Sequence, residues 1–284
     1  MRDTLVEVVD PGALSTIQDL GRPGHAHLGV PRSGALDQPS LRLANRLVGN
    51  PESSAAVETT ATGVTLRARR ATTVAVTGAR CEVRMGGRSV AWGAAVALTA
   101  GADLVVGPAY DGLRSYVGLA GGVEVAAVLG SRSTDLLSGL GPAPLRPGDL
   151  LPLGTPAASP WGVEAAPGPR GTVLRLRLGP HLDWFAPASV EALDGAAYRV
   201  AADSNRIGLR LSGPTIRRTA DHELASEGMV LGAVQVPPGG QPVVFLHDHP
   251  TTGGYPVVAV VEPDDLAVCA QARPGEALTL RVVG

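Results

Sequence analysis

Apolar residues along the chain recur at every second position in short runs, and that period predicts strands. The plainest case is 173–178, where Val173, Leu174, Leu176 and Leu178 are interleaved with Arg175 and Arg177. Similar runs at 5–9, 64–69, 73–77, 113–119, 243–246, 257–261 and 278–283 are rich in Val and Leu, and glycine or proline separates them at short intervals. Two segments carry helical spacing instead. Asp37 can cap a helix whose Leu41, Ala44, Leu47 and Val48 share one face, with Gly49 ending it and Pro51 beyond. A shorter helix is expected around 187–193. The pattern is that of an all-β protein with a few short helices as plugs or lids.

The segment 155–171 is rich in Pro, Ala and Gly and has no period, so it reads as a linker. It divides the chain into an expected N-terminal domain, 1–160, and a C-terminal domain, 170–284. An internal echo supports the division. Arg146-Pro147-Gly148-Asp149-Leu150-Leu151 resembles Arg273-Pro274-Gly275-Glu276-Ala277-Leu278, each a Pro-Gly turn, an acidic residue and a closing strand. Two similar β-barrels follow as the expected architecture.

Composition narrows the function. A net charge of −2 offers no footprint for nucleic acid or an anionic membrane. Every basic side chain except histidine is Arg. Without lysine there is no Schiff base, no P-loop lysine and no attachment point for biotin, so an anion must be held by Arg or backbone N–H groups. Cys81 and Cys269 stand far apart without metal-ligand spacing and read as small buried hydrophobes. The first residues lack a signal-peptide pattern and no apolar run is long enough to span a bilayer, so the expected location is the cytoplasm.

The histidines offer two His-x-His pairs, His25/His27 and His247/His249. On a strand such a pair could present two imidazoles to one metal, but the second pair has no Glu where a cupin-type site needs it, and the first lies in a Gly/Pro loop. Hydrogen-bonding loop histidines are the better reading, and no metal is expected. No G-x-S-x-G elbow or phosphate-binding lysine loop occurs. Four polar loops remain: 17–24 with 31–37, 129–135, 203–208 and 248–255. Each combines hydroxyl or carboxylate groups with Arg or Gly beside a strand, which suits carboxylates and phosphates. Each alone reads equally well as an Asx or Ser/Thr turn braced by an arginine.

Six segments taken together carry a resemblance. They are 16–22 (TIQDLGR), 44–50 (ANRLVGN), 129–135 (LGSRSTD), 226–228 (SEG), 235–242 (QVPPGGQP) and 251–256 (TTGGYP). In this order they resemble the KipA or allophanate hydrolase subunit 2 family, also described as the third subunit of bacterial 5-oxoprolinase and as a biotin-dependent carboxyltransferase component. One departure is Pro250, where that family usually has Gln. The resemblance implies two cyclophilin-like barrels, a KipI-like partner, a LamB/YcsF-like partner and ATP-dependent (with Mg) opening of the lactam of 5-oxoproline to glutamate. Two alternatives accompany it. One is a carboxyltransferase component of a urea carboxylase system, with biotin carried by another chain. The other is a regulatory module acting with its KipI-like partner on a sensor kinase.

For hydrolysis of an activated amide or lactam, a carboxylate must activate water and donors must hold the oxyanion. The expected bases are Asp19, Glu227 and Asp248. The expected substrate- or phosphate-binding residues are Arg22, Ser131, Arg132, Ser133, Thr134, Asn205, Arg206, Gln235, His249, Thr251, Thr252, Gly253, Gly254 and Tyr255.

Overall fold

A computed structural model describes residues 5–157, 171–220 and 222–284. The chain forms two compact units, and most of the expected linker falls outside the described residues. Segments 23–32 and 136–138, although in the first half of the sequence, belong to the second unit.

The first unit contains β1 (Leu5–Asp10), β2 (Leu14–Gln18), α1 (Gln38–Leu47), β3 (Ala56–Thr60), β4 (Val64–Ala68), β5 (Thr72–Met85), β6 (Arg88–Val90), β7 (Val96–Leu98), β8 (Asp103–Leu119) and β9 (Leu150–Pro152). Nine strands make one curled sheet, in which β2-β3-β8-β4-β1-β9 are neighbours and β5 joins β8, β6 and β7. Its apolar positions alternate into a core that includes Val6, Val8, Ile17, Val57, Leu66, Leu104 and Val117. The long pair β5 and β8 exceeds what alternation alone predicted. Glycines such as Gly78 and Gly112, both at positive φ, read as ends of strands. They sit beside register shifts instead, where bulges let the ladder continue. Gly86 and Gly87, both at positive φ, make the two-residue turn from β5 into β6.

Helix α1 starts where its cap residue dictates, with Asp37 accepting a hydrogen bond from the Ser40 N–H at 3.0 Å. Its Leu41 and Ala44 pack on Ala56 and Tyr116. Gly118 on β8 permits this approach, because a Cβ there would stand 2.6 Å from the Ala44 carbonyl oxygen.

The second unit contains β10 (Val173–Leu178), α2 (Pro187–Glu191), β11 (Ala197–Val200), β12 (Gly208–Ser212), β13 (Glu227–Gly228), β14 (Ala233–Gln235), β15 (Val243–Phe245), β16 (Thr252–Gly253), β17 (Val257–Val261), α3 (Leu266–Gln271) and β18 (Ala277–Val282). Seven strands close into a barrel in the order β10-β17-β14-β15-β12-β11-β18, completed by parallel pairing of β10 with β18. Leu174, Val234, Val244, Val258 and Leu280 are buried. A separate two-stranded ribbon pairs β13 with β16. Ring closure therefore appears in this unit, whereas the first unit's sheet curls without it. Helix α3 has no counterpart among the sequence expectations, because its short Leu-Ala-Val-Cys-Ala run lacks a polar face to mark a period.

The echoed turns match in three dimensions. Gly148 and Gly275 both adopt positive φ. Asp149 N–H donates to the Arg146 carbonyl at 3.2 Å and Glu276 N–H to that of Arg273 at 3.0 Å. Each acidic side chain also accepts from the backbone N–H of the arginine that opens its turn. Among the described residues, no helix is long and apolar enough to cross a membrane.

Candidate functional site

In the first unit, the loop after β2 and the loop at 129–135 interlock around Asp19. One Asp19 oxygen accepts from Ser131 Oγ and Ser133 Oγ, both at 2.6 Å, and from Gly21 N–H at 2.7 Å. The other accepts from the Arg132 N–H at 2.6 Å. Arg22 is almost completely buried and donates to Ser33 Oγ and to the carbonyls of Ser133 and Val128. The Arg132 side chain turns to Glu124 at 2.9 Å, and Thr134 N–H donates to the Ile17 carbonyl. Asp19 thus ties one loop to the other, with three donors on one oxygen and one on the other.

The third and fourth loops meet in the second unit. Arg206 and Asp248, 1% and 0% exposed in their side chains, form a bidentate pair at 2.9 and 3.0 Å. Asp248 also accepts from Leu136 N–H at 3.3 Å. His249 is buried beside it, with Nδ1 2.7 Å from the Pro250 carbonyl. Burial holds its pKa below the ordinary value, outweighing the attraction of Asp248 and the Pro250 contact. Thr251 contributes its carbonyl, which accepts from Met229 N–H. Thr252 and Gly253 lie on β16.

Glu227 sits on β13 opposite Gly253. It has a partner that motif reading missed, since His181 Nε2 is 3.2 Å from its Oε1. His181 Nδ1 accepts the Val257 N–H at 3.1 Å, so in the neutral ring the proton belongs on Nε2 and points at Glu227. No spacing rule links residues so far apart, and only the folded chain pairs them. Of the three expected bases, Glu227 is the one with substantial exposure; its side chain is 41% exposed.

A pocket of about 310 Å³ lies against β12, β15 and β14. On these strands Leu209, Val234 and Val244 are buried inward, so alternation turns Arg210, Gln235, Val243 and Phe245 to the opposite, outer face of the wall. Gly253, Gly254 and Tyr255 cover it from the fourth loop, Asn205 from the third, and Pro250 contributes to the wall. Five expected binding residues, Asn205, Gln235, Gly253, Gly254 and Tyr255, therefore share one pocket. Arg210 and Phe245 were not anticipated. An adjoining cleft of about 740 Å³ also uses Gly254 and Tyr255, with Arg218 and His222. Among the described residues no cluster of His, Cys, Asp and Glu is suited to hold a metal ion.

A closed barrel and a curled sheet with few short helices place the chain in the all-β class. The pocket on the barrel wall is mainly apolar, with carboxamides and glycines among its lining residues. Comparison with known sequences is more specific. Residues 28–282 match the carboxyltransferase domain, subdomain A and B, and the chain belongs to that family. It is 37% identical over 276 residues to a 5-oxoprolinase subunit of Escherichia coli, covering 96% of this chain and 89% of that protein. The crystal structure of TTHA0988 matches 99% of the chain with a TM-score of 0.88 and 38% identity; the chain spans 55% of its length. The urea amidolyase of Kluyveromyces lactis matches 99% of the chain with a TM-score of 0.91 and 30% identity, and here the chain spans 19% of the solved protein.

Proposed function

We propose that this chain is one subunit of a 5-oxoprolinase that opens the lactam of 5-oxoproline to glutamate with hydrolysis of ATP. The observation that carries this reading is the 37% identity to the Escherichia coli 5-oxoprolinase subunit across 96% of the chain. The pocket on the barrel wall is in keeping with it, since about 310 Å³ falls at the small end of ordinary small-molecule sites. A lactam carbonyl is a weak electrophile. Phosphorylation of its oxygen by ATP (with Mg) opens the carbon to attack by water. The C–N bond then breaks with a proton delivered to the ring nitrogen, and the acyl phosphate left behind is hydrolysed by a further water to the carboxylate and inorganic phosphate. Glu227, with His181 at its Oε1, is the exposed carboxylate beside β16 and is the group we assign to activating the first water. Asp19 and the Arg206–Asp248 pair hold the loops in place.

Working in the cytoplasm, the subunit would require a KipI-like protein and a LamB/YcsF-like protein to complete the reaction. Co-expression with both should yield 5-oxoproline-dependent ATP hydrolysis, reduced at least about tenfold by Glu227→Gln. A properly assembled complex without that turnover rules the reading out. The likeness to urea amidolyase favours a second reading, transfer of a carboxyl group to or from biotin. Because the chain has no lysine, the biotin would arrive on another polypeptide. Carboxyl exchange with a biotinylated carrier, in place of lactam-dependent ATP hydrolysis, would select that reading.

A further inference from the structure

We infer that Gln235 and Asn205 form a matched acceptor and donor for the cis amide edge of a cyclic amide or urea, Gln235 Oε1 receiving the ring N–H and Asn205 Nδ2 giving a hydrogen bond to the ring carbonyl. The inference rests on the pocket on the barrel wall being the substrate site. Both residues line it.

Their orientations are set by opposite ends. Gln235 is 2% exposed, and its Nε2 lies 2.9 Å from the Tyr255 carbonyl and 3.1 Å from Met229 Sδ. Both neighbours are acceptors, which fixes the nitrogen on that side and leaves Oε1 as the free end of the amide. No described residue donates to that oxygen. Asn205 is the mirror case. Its Oδ1 accepts the Ile207 and Gly208 N–H groups at 2.8 and 3.3 Å, and its Nδ2 has no acceptor among the described residues. An acceptor with no protein donor, on a side chain otherwise held in place, is open to a ligand that brings an N–H in place of water. The remaining wall is largely apolar, with Phe245, Val243 and Pro237, as suits the carbon face of a small ring. A lactam such as 5-oxoproline and the ureido ring of biotin present the same edge, one N–H beside one C=O.

The test compares N–H with N–CH₃. With the assembled complex, kcat/KM for ATP hydrolysis should favour 5-oxoproline over its N-methyl derivative by about tenfold or more. Gln235→Leu should lower the rate on 5-oxoproline by a similar factor, leave the N-methyl compound nearly unchanged, and so collapse the preference. Equal loss on both compounds would mean that Gln235 only supports the wall, and would overturn the inference. So would a wild-type complex that does not discriminate, a result that stands even where the variant fails to fold. If the complex shows no 5-oxoproline turnover, the proposed function fails separately. The full chain is then titrated calorimetrically with biotin and with biotin methylated on its ureido nitrogens. Preference for the unmethylated ring, abolished by Gln235→Leu, supports the donor–acceptor pair with biotin as its source; no preference, or no binding of either, overturns it.

Discussion

At the scale of single residues, the second unit depends on polar groups that have left water together. Arg206 and Asp248 are both almost fully buried and joined by two hydrogen bonds. Removing the Asp248 carboxylate takes both of these charge-assisted hydrogen bonds from a buried guanidinium. Asp248→Ala should therefore destabilise the protein by about 3–5 kcal/mol in urea denaturation. His249 provides a pH signature. Its pKa in the folded state lies below the ordinary 6.5, chiefly because burial disfavours the imidazolium. Between those two values the unfolded chain binds more protons than the folded one. The contribution is thus fully present above about pH 6.5 and is lost as pH falls towards the folded value. His249→Gln should flatten the fall in stability between neutral and mildly acidic pH, read as the difference between wild type and variant denaturation midpoints.

Elements meet through small residues placed where backbones approach. Gly118 on β8 is the clearest, because a methyl group there would lie 2.6 Å from the Ala44 carbonyl oxygen and 2.8 Å from its carbon. Both atoms are backbone of α1, so neither can rotate aside. Gly118→Ala should cost about 1–3 kcal/mol by pushing the helix off the sheet. Gly228→Ala, where the new Cβ meets nothing within 4 Å, should stay within about 0.5 kcal/mol. Chemical denaturation of the two variants side by side measures the contrast. The same scale shows how legible the elements were. Helix α1 could be read from Asp37, its apolar face and Gly49 because capping and periodicity are local. The extent of β5 and β8 could not, because a glycine that ends a strand and one that bulges it look identical until a partner strand pairs across it.

Across the whole molecule, the two units solve the problem of sheet edges in different ways. The barrel of the second unit closes on itself through the parallel pairing of β10 and β18. In the first unit the β2 edge is covered by loop residues, with Thr134 N–H donating to the Ile17 carbonyl and Leu145 N–H to that of Ser15. The alternation of Val and Leu with polar residues was sufficient to imply an all-β chain with few helices, since it records which face of each strand is buried. The Pro-Gly-acid turns at 146–149 and 273–276 were likewise readable, because a β-turn is written in four consecutive residues. The four polar loops were recognisable as chemistry-bearing, but their partners were not. Only folding joined Asp19 to Ser131 and Ser133, Arg206 to Asp248, and His181 to Glu227. Only folding, too, tied Gln235 by its nitrogen and Asn205 by its oxygen. The reason is physical: periodicity and turn chemistry act within a few residues, whereas a hydrogen bond selects its partner by position in space, whatever the distance along the chain.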